Sequence, residues 1–228
     1  IWNNSNSIVT PSLWLKSQVE KSFLQNNRIA VIPNGIDTSI FHPAESDFIA
    51  KHHLEKQFVL LAVASVWDET KGLKDLQQLS KQLFRNEKLI AVGVSKSQMS
   101  GFDPVNTICI ERTENIQELV AMYSASNVFV NFTYEDTFPT VNLEALACGC
   151  PILTYDTGGS TETVNQQTGL IIGKGRLSEA IHIVHELSSN PIEAFSREAC
   201  VHSAEQFTIQ NMQNQYEELY KSVLGEDR

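Results

Sequence analysis

Asp136 and Glu144 stand eight positions apart in the stretch Tyr134-Glu135-Asp136-Thr137-Phe138-Pro139-Thr140-Val141-Asn142-Leu143-Glu144, and Glu135 adds a third carboxylate beside the first. Acidic residues at both ends of one helical start suit polyhydroxylated ligands. A vicinal diol offers two O–H donors, and each hydrogen bond to a charged group is worth roughly 1.5–3 kcal/mol. The apolar run Val128-Phe129-Val130-Asn131-Phe132 comes just before them, so Glu135 and Asp136 fall where a buried strand ends and a helix begins. Pro139 fixes φ near the helical value and needs no hydrogen bond in a first turn, which predicts a helix starting around 138–140 with Thr137 as its cap. Pro139 has no amide to offer, but Phe138, Thr140 and Val141 do. Such a first turn, with its dipole, is a seat for phosphate or polarised hydroxyl oxygens. Glu144 is the one charged side chain of an otherwise apolar helix. It either grips a diol such as a ribose or pairs with a Lys or Arg of a neighbouring loop, and the residues alone leave both open.

The elements that must position these groups follow from periodicity. Strand-like apolar runs recur at 7–10, 28–32, 57–64, 88–94, 105–110, 127–132, 151–155 and 168–172. Between them lie helical stripes: Leu73, Leu76, Leu79 and Leu83; Ile116, Leu119, Val120 and Tyr123; Leu177, Ala180, Ile181, Val184 and Leu187. Alternation of this kind predicts an α/β fold, a Rossmann-like parallel sheet with helices on both faces. Ligands of such sheets bind beyond the carboxyl ends of the strands. Lys71, the loop Glu111-Arg112-Thr113, residues 135–140 and residues 157–161 all fall at such ends, so they can converge on one cleft. By position, Arg112 either lies near a nucleobase or belongs to a charged surface loop. Residues 1–33, with a strand, a helix beginning near Ser12 and a second strand, read as the tail of a preceding domain. Residues 34–207 form the sheet domain, and 208–228 a terminal helix with Ile209, Met212, Tyr216, Leu219, Tyr220 and Val223 on one stripe.

The 228 residues, 42% of them hydrophobic, suffice for a full core. Seventeen Lys plus Arg against twenty-seven Asp plus Glu leave a formal charge of −10, which argues against nucleic acid as a partner but not against a nucleotide held by local donors. No apolar run approaches the roughly 20 residues of a membrane-spanning helix, and no signal peptide is expected. The start at Ile1, without methionine, suggests a fragment. Cys109, Cys148, Cys150 and Cys200 lack the spacing of a zinc or redox motif and read as buried, reduced thiols. The six histidines show no ligand partner and read as surface or packing residues.

In chain order, five motifs resemble those of the retaining GT-B glycosyltransferases known as family 4. Ile32-Pro33-Asn34-Gly35-Ile36-Asp37-Thr38, with Phe41-His42-Pro43 behind it, resembles the interdomain segment. Lys71-Gly72-Leu73 resembles the phosphate-contacting lysine. Asp136 to Glu144 has the acid-x7-acid spacing. Gly158-Gly159-Ser160-Thr161-Glu162 resembles the glycine pair, and Thr168-Gly169-Leu170 the strand after it. Three positions depart from the pattern: Asp136 replaces the usual Glu, Pro139 a glycine, and Ser65-Val66-Trp67-Asp68-Glu69-Thr70 lacks the usual arginine. Trp67 either covers the site or simply packs.

The resemblance implies the donor-binding C-terminal domain of such an enzyme. In that picture Lys71 contacts the diphosphate of a nucleoside-diphosphate sugar, Asp136 or its neighbour Glu135 orients the sugar hydroxyls, and Glu144 holds the ribose. Phe138, Thr140 and Val141 supply amides, and Gly158 and Gly159 are expected to contact the substrate. A glycan or lipid-linked acceptor is held by an N-terminal domain, to which the last helix crosses back, so the isolated chain is expected to be inactive and prone to self-association. No cofactor or metal is implied. The expected location is cytoplasmic, with peripheral association to the inner face of the cell membrane. Two other readings stay open: a non-catalytic binding module on the same fold, and a dinucleotide-binding oxidoreductase domain, whose Gly-x-Gly-x-x-Gly fingerprint is absent.

Overall fold

The computed structural model describes residues 7–190 and 195–225. Two parallel strands, β1 (Ser7–Thr10) and β2 (Arg28–Val31), make a small sheet of their own, in register from Ser7 opposite Arg28 to Thr10 opposite Val31. The helix α1 (Leu13–Val19) joins them, its amide at Leu15 capped by the Ser12 hydroxyl at 3.1 Å.

The main sheet has six parallel strands: β3 (Phe58–Val63), β4 (Glu87–Val92), β5 (Thr107–Ile110), β6 (Val128–Asn131), β7 (Ile152–Tyr155) and β8 (Gly169–Ile172). Their spatial order is β5-β4-β3-β6-β7-β8. Alternate side chains of one strand feed opposite cores. Val59 and Leu61 of β3 pack with Phe129, Leu143, Leu146 and Ile152 under α2 (Phe48–Lys51), α5 (Ile116–Ala125), α6 (Thr140–Ala147) and α8 (Arg197–Ala204). Leu60 and Ala62 pack with Leu76, Leu79, Val130, Leu153, Ala180 and Val184 under α3 (Leu73–Ser80) and α7 (Leu177–Ser189). Burial on both faces is why these strands read as unbroken apolar runs. Leu83, expected on the stripe of α3, lies beyond its end at Ser80 yet is still buried against the same core.

From β3 the chain builds outward through β4, α4 (Lys96–Met99) and β5. Helix α5 then brings it back to lay β6 on the other side of β3. That reversal opens a crevice between the carboxyl ends of β3 and β6, where open α/β sheets bind ligands.

The segment between the two sheets is pinned by backbone contacts. Ile36 donates to the carbonyl of Phe207 at 2.7 Å and accepts from Ile209 at 3.1 Å. Gly35 fits because any Cβ there would stand 2.7 Å from the Cα of Ile209. The last helix, α9 (Ile209–Leu224), starts at the capping hydroxyl of Thr208 and runs alongside β2, where the Arg28 guanidinium donates to Ser222 Oγ at 2.7 Å. Leu219 is buried in this contact, whereas Tyr220, Val223 and Leu224 are exposed. No described helix is long and apolar enough to cross a membrane.

Candidate functional site

A cavity of about 210 Å³ occupies the crevice between β3 and β6. Its walls include Ala64, Ser65, Trp67 and Lys71 on one side, and Asn131, Asp136, Phe138, Pro139, Thr140 and Val141 on the other. Lys71 reaches it because of Gly72, which caps α3 in the left-handed region (φ 76°). A Cβ at Gly72 would lie 2.1 Å from the carbonyl oxygen of Phe132, so only glycine lets the turn nest against the loop after β6. The carbonyl of Thr70 then accepts from the amide of Tyr134 at 2.7 Å and from Thr133 Oγ1 at 3.2 Å. These contacts set Lys71 Nζ 2.6 Å from Asp136 Oδ2, in a partly buried ion pair at the cavity wall.

Asp136 has a second duty. Its Oδ1 accepts from the amide of Phe138 at 3.1 Å, so the aspartate rather than Thr137 supports the approach to α6. Pro139 stands at the N-cap with extended backbone, and the helix proper begins at Thr140. Thr137 makes no capping bond among the described residues, and the residue two further on, Pro139, has no amide to offer it. Of the three amides expected to be free, Phe138's is therefore engaged. Those of Thr140 and Val141 have no partner among the described residues and stand on the cavity wall. Gly158 (φ 52°) and Gly159 do not line the cavity. Added Cβ atoms would meet the carbonyl oxygens of Asp136 at 1.9 Å and of Thr137 at 2.0 Å, and the Gly159 amide donates to the Asp136 carbonyl at 3.0 Å. The glycine pair is the floor on which the acidic loop rests.

Glu144 sits one turn further along α6 and outside that cavity. Its Oε2 accepts from the Tyr123 hydroxyl of α5 at 2.9 Å, and no Lys or Arg pairs with it among the described residues. Burial raises its pKa above the usual carboxylate range, the Tyr123 hydrogen bond pulling the other way. Glu135 is exposed, and its carboxylate makes no hydrogen bond among the described residues. Arg112 is exposed beyond edge strand β5, with β4 between that strand and β3, and it does not line the cavity. Trp67 does both things open to it: its indole N–H donates to the Val92 carbonyl at 2.8 Å while its side chain forms cavity wall.

Two polar networks behind the cavity were not among the sequence expectations. Asn131 donates to Asn142 Oδ1 at 2.8 Å, and Asn142 donates on to Thr163 Oγ1 at 2.9 Å and Ser160 Oγ at 3.2 Å. This ties α6 to the 3-10 turn Ser160–Thr163 that follows the glycine pair. The signal was present, since an asparagine inside a buried apolar run must find partners. The second network joins Asp75 of α3 to the hydroxyls of Tyr134 and Tyr155 at 2.6 and 2.7 Å. Away from the cavity, His185 is more than packing: it stacks on Phe84 and bonds the fully buried Glu87 at 2.9 Å. All four cysteines are free thiols; burial pushes those of Cys148 and Cys200 up to about 12.

The family model for glycosyl transferases group 1 matches residues 57–190, more than half of the chain. The chain is 26% identical to the capsular polysaccharide biosynthesis glycosyltransferase CapM of Staphylococcus aureus, over 97% of this chain and 63% of that protein. It is 25% identical to the N-acetyl-alpha-D-glucosaminyl L-malate synthase of Bacillus anthracis, over 98% and 61%. It therefore spans less than two thirds of the length of these curated relatives. Among solved structures, the sucrose-phosphate synthase of Thermosynechococcus elongatus superposes with a TM-score of 0.86 at 20% identity, covering 99% of this chain and 60% of that one. Anabaena Alr3699/HepE in complex with UDP and glucose superposes at 0.80 with 18% identity, covering 96% and 64%. The six-stranded parallel sheet with helices on both faces is thus the Rossmann-like fold of GT-B glycosyltransferases. With the matched segment running from β3 through α7, the chain belongs to the glycosyl transferases group 1 family.

Proposed function

We propose that this chain is the donor-binding half of a retaining glycosyltransferase that moves a sugar from a nucleoside diphosphate to a glycan or lipid-linked acceptor. The observation that carries this is the ion pair of Lys71 and Asp136 beside the open amides of Thr140 and Val141. One side of the crevice thus offers a cation, and the other offers two N–H donors and a carboxylate. A diphosphate suits the cation and the donors, and sugar hydroxyls the carboxylate.

In this reading, donor binding exchanges partners. Lys71 passes from Asp136 to the diphosphate, and Asp136, released, accepts from the sugar hydroxyls, so neither charge is left unpaired. Cleaving the anomeric C–O bond leaves its electron pair on a β-phosphate oxygen. Lys71 and the two amides stabilise that charge as it develops. The acceptor oxygen forms the new bond on the face the phosphate leaves, and its proton passes to the departing phosphate, so the chain supplies no nucleophile. Glu144, a turn deeper, takes the ribose diol in exchange for, or alongside, the Tyr123 hydroxyl. Glu135 and Arg112 are assigned peripheral roles, at the outer sugar hydroxyls and near the base. Phe138 contributes its ring to the wall, and Gly158 and Gly159 support Asp136. The acceptor site, a cytoplasmic location and attachment to the inner face of a membrane belong to the whole protein and are part of the same proposal, as is turnover without cofactor or metal.

A thermal-shift panel of UDP, GDP, ADP, their hexose conjugates and NAD tests it. A ligand at a hundred times its Kd stabilises by about 2.7 kcal/mol. One nucleoside diphosphate and its sugar conjugate are expected to raise Tm and NAD to leave it unchanged; a response to NAD alone would refute the donor reading.

A further inference from the structure

We infer that Asp75 and Tyr134 form a positioning clamp that sets Asp136 for the donor; this rests on the donor-site reading above. Lys71 and Asp75 lie four residues apart at the start of α3, and Tyr134 and Asp136 lie two apart in the loop after β6. The two segments are joined by two parallel rungs. The inner is Lys71 Nζ to Asp136 Oδ2 at 2.6 Å, and the outer is the Tyr134 hydroxyl donating to Asp75 Oδ2 at 2.6 Å.

The inner rung has to break when Lys71 turns to a diphosphate. The outer rung touches no ligand position in the cavity and can persist. Tyr134 is fixed at two further points: its amide donates to the Thr70 carbonyl at 2.7 Å, and its carbonyl accepts from Lys174 Nζ at 2.8 Å. Hydrogen bonding to Asp75 pushes the Tyr134 phenol up to about 12, so it stays protonated and donating at physiological pH. Asp75 itself lies in the first turn of α3, where a carboxylate is favoured by the helix dipole. Downstream, Asp136 rests on Gly158 and Gly159. Glu135, between the two supports, has no anchored side chain, so the clamp selects Asp136 rather than Glu135 as the acid held in place.

Tyr155 provides the control. Its hydroxyl reaches the same Asp75 oxygen at 2.7 Å, but it stands on β7 rather than on the acidic loop. The test is a double-mutant cycle of Tyr134→Phe with Asp136→Ala in this chain, read by calorimetric affinity for UDP-glucose, GDP-mannose and ADP-glucose, whichever binds, and by Tm. Tyr134→Phe is expected to weaken binding three- to tenfold in the native background and less than twofold when Asp136 is already alanine. Tyr155→Phe is expected to lower Tm comparably while leaving affinity within twofold. Equal losses in both backgrounds, or none, would overturn the clamp. A second readout needs no ligand: the ¹⁵Nζ resonance of Lys71, assigned through Lys71→Arg, is expected to move toward that of exposed lysines in Tyr134→Phe and not in Tyr155→Phe. An unmoved resonance would overturn the clamp even where donors bind. A moved resonance without binding of any donor would keep the rungs and remove the donor-site reading instead.

Discussion

At the residue scale, Glu144 is a partly buried carboxylate with one hydroxyl partner, and burial raises its pKa above the ordinary 4.5. The sign of its linkage follows. Below 4.5 the carboxyl is neutral in folded and unfolded chains alike and is buried cheaply; as pH rises through the raised folded value, the group must ionise in place and that stability is lost. Glu144→Gln is therefore expected to match the native Tm near pH 4.5 and to exceed it at pH 7.5, by a margin that grows as pH rises. The same variant is expected to bind a nucleoside diphosphate at least fivefold more weakly, since it loses a charged acceptor for the ribose. A Tm difference that does not grow between pH 4.5 and pH 7.5 would remove the burial argument, and unchanged affinity the ribose role. Lys71 and Asp136 stood out in the sequence through the family resemblance, and Glu144 as the one charged side chain of an apolar helix; the structure brings Lys71 and Asp136 into contact. The Tyr123 partner was not legible, since it comes from a different helix and only packing brings α5 against α6.

At the scale of elements, the strands were readable because a doubly covered parallel sheet demands apolar runs, whereas their spatial order was not. Helix α6 begins at Thr140, within the expected 138–140, but Pro139 rather than Thr137 is its N-cap, and the Asp136 carboxylate holds the Phe138 amide. Which side chain reaches a given N–H depends on the path of the loop, which residue type does not encode. Close approach of backbones is the other hidden ingredient. Gly158→Ala adds a Cβ 1.9 Å from the Asp136 carbonyl at positive φ. It is expected to cost at least about 2 kcal/mol, from left-handed strain plus the forced shift. Because the shift displaces Asp136, donor affinity is expected to fall with it. Retained affinity in a folded Gly158→Ala variant, measured by calorimetry beside a melting curve, would dissociate the glycine pair from the site.

For the molecule as a whole, net charge and composition excluded partners without naming one, and the fold could be read further than the face that α9 leaves open. That helix covers β2 with Leu219 but presents Tyr220, Val223 and Leu224 to solvent, three positions of one stripe. The chain is expected to self-associate through this stripe at micromolar concentration, and Val223→Lys with Leu224→Lys to sediment as a monomer with Tm within about 2 °C of the native value, as surface changes usually leave it. A native chain that is monomeric at 100 µM, roughly the top of the range where weak apolar contacts register, would argue that the stripe is too small to associate.

The central physical claim is that Lys71 and Asp136 face a diphosphate and its sugar. Isothermal titration of the native chain and of Lys71→Ala, with the nucleoside diphosphate that stabilises it most, measures this directly. Removing Lys71 takes away a charged contact and leaves Asp136 uncompensated beside the phosphates, so affinity is expected to fall at least tenfold, about 1.4 kcal/mol, and to recover in part when Asp136→Ala is added. Native affinity in Lys71→Ala would contradict the site.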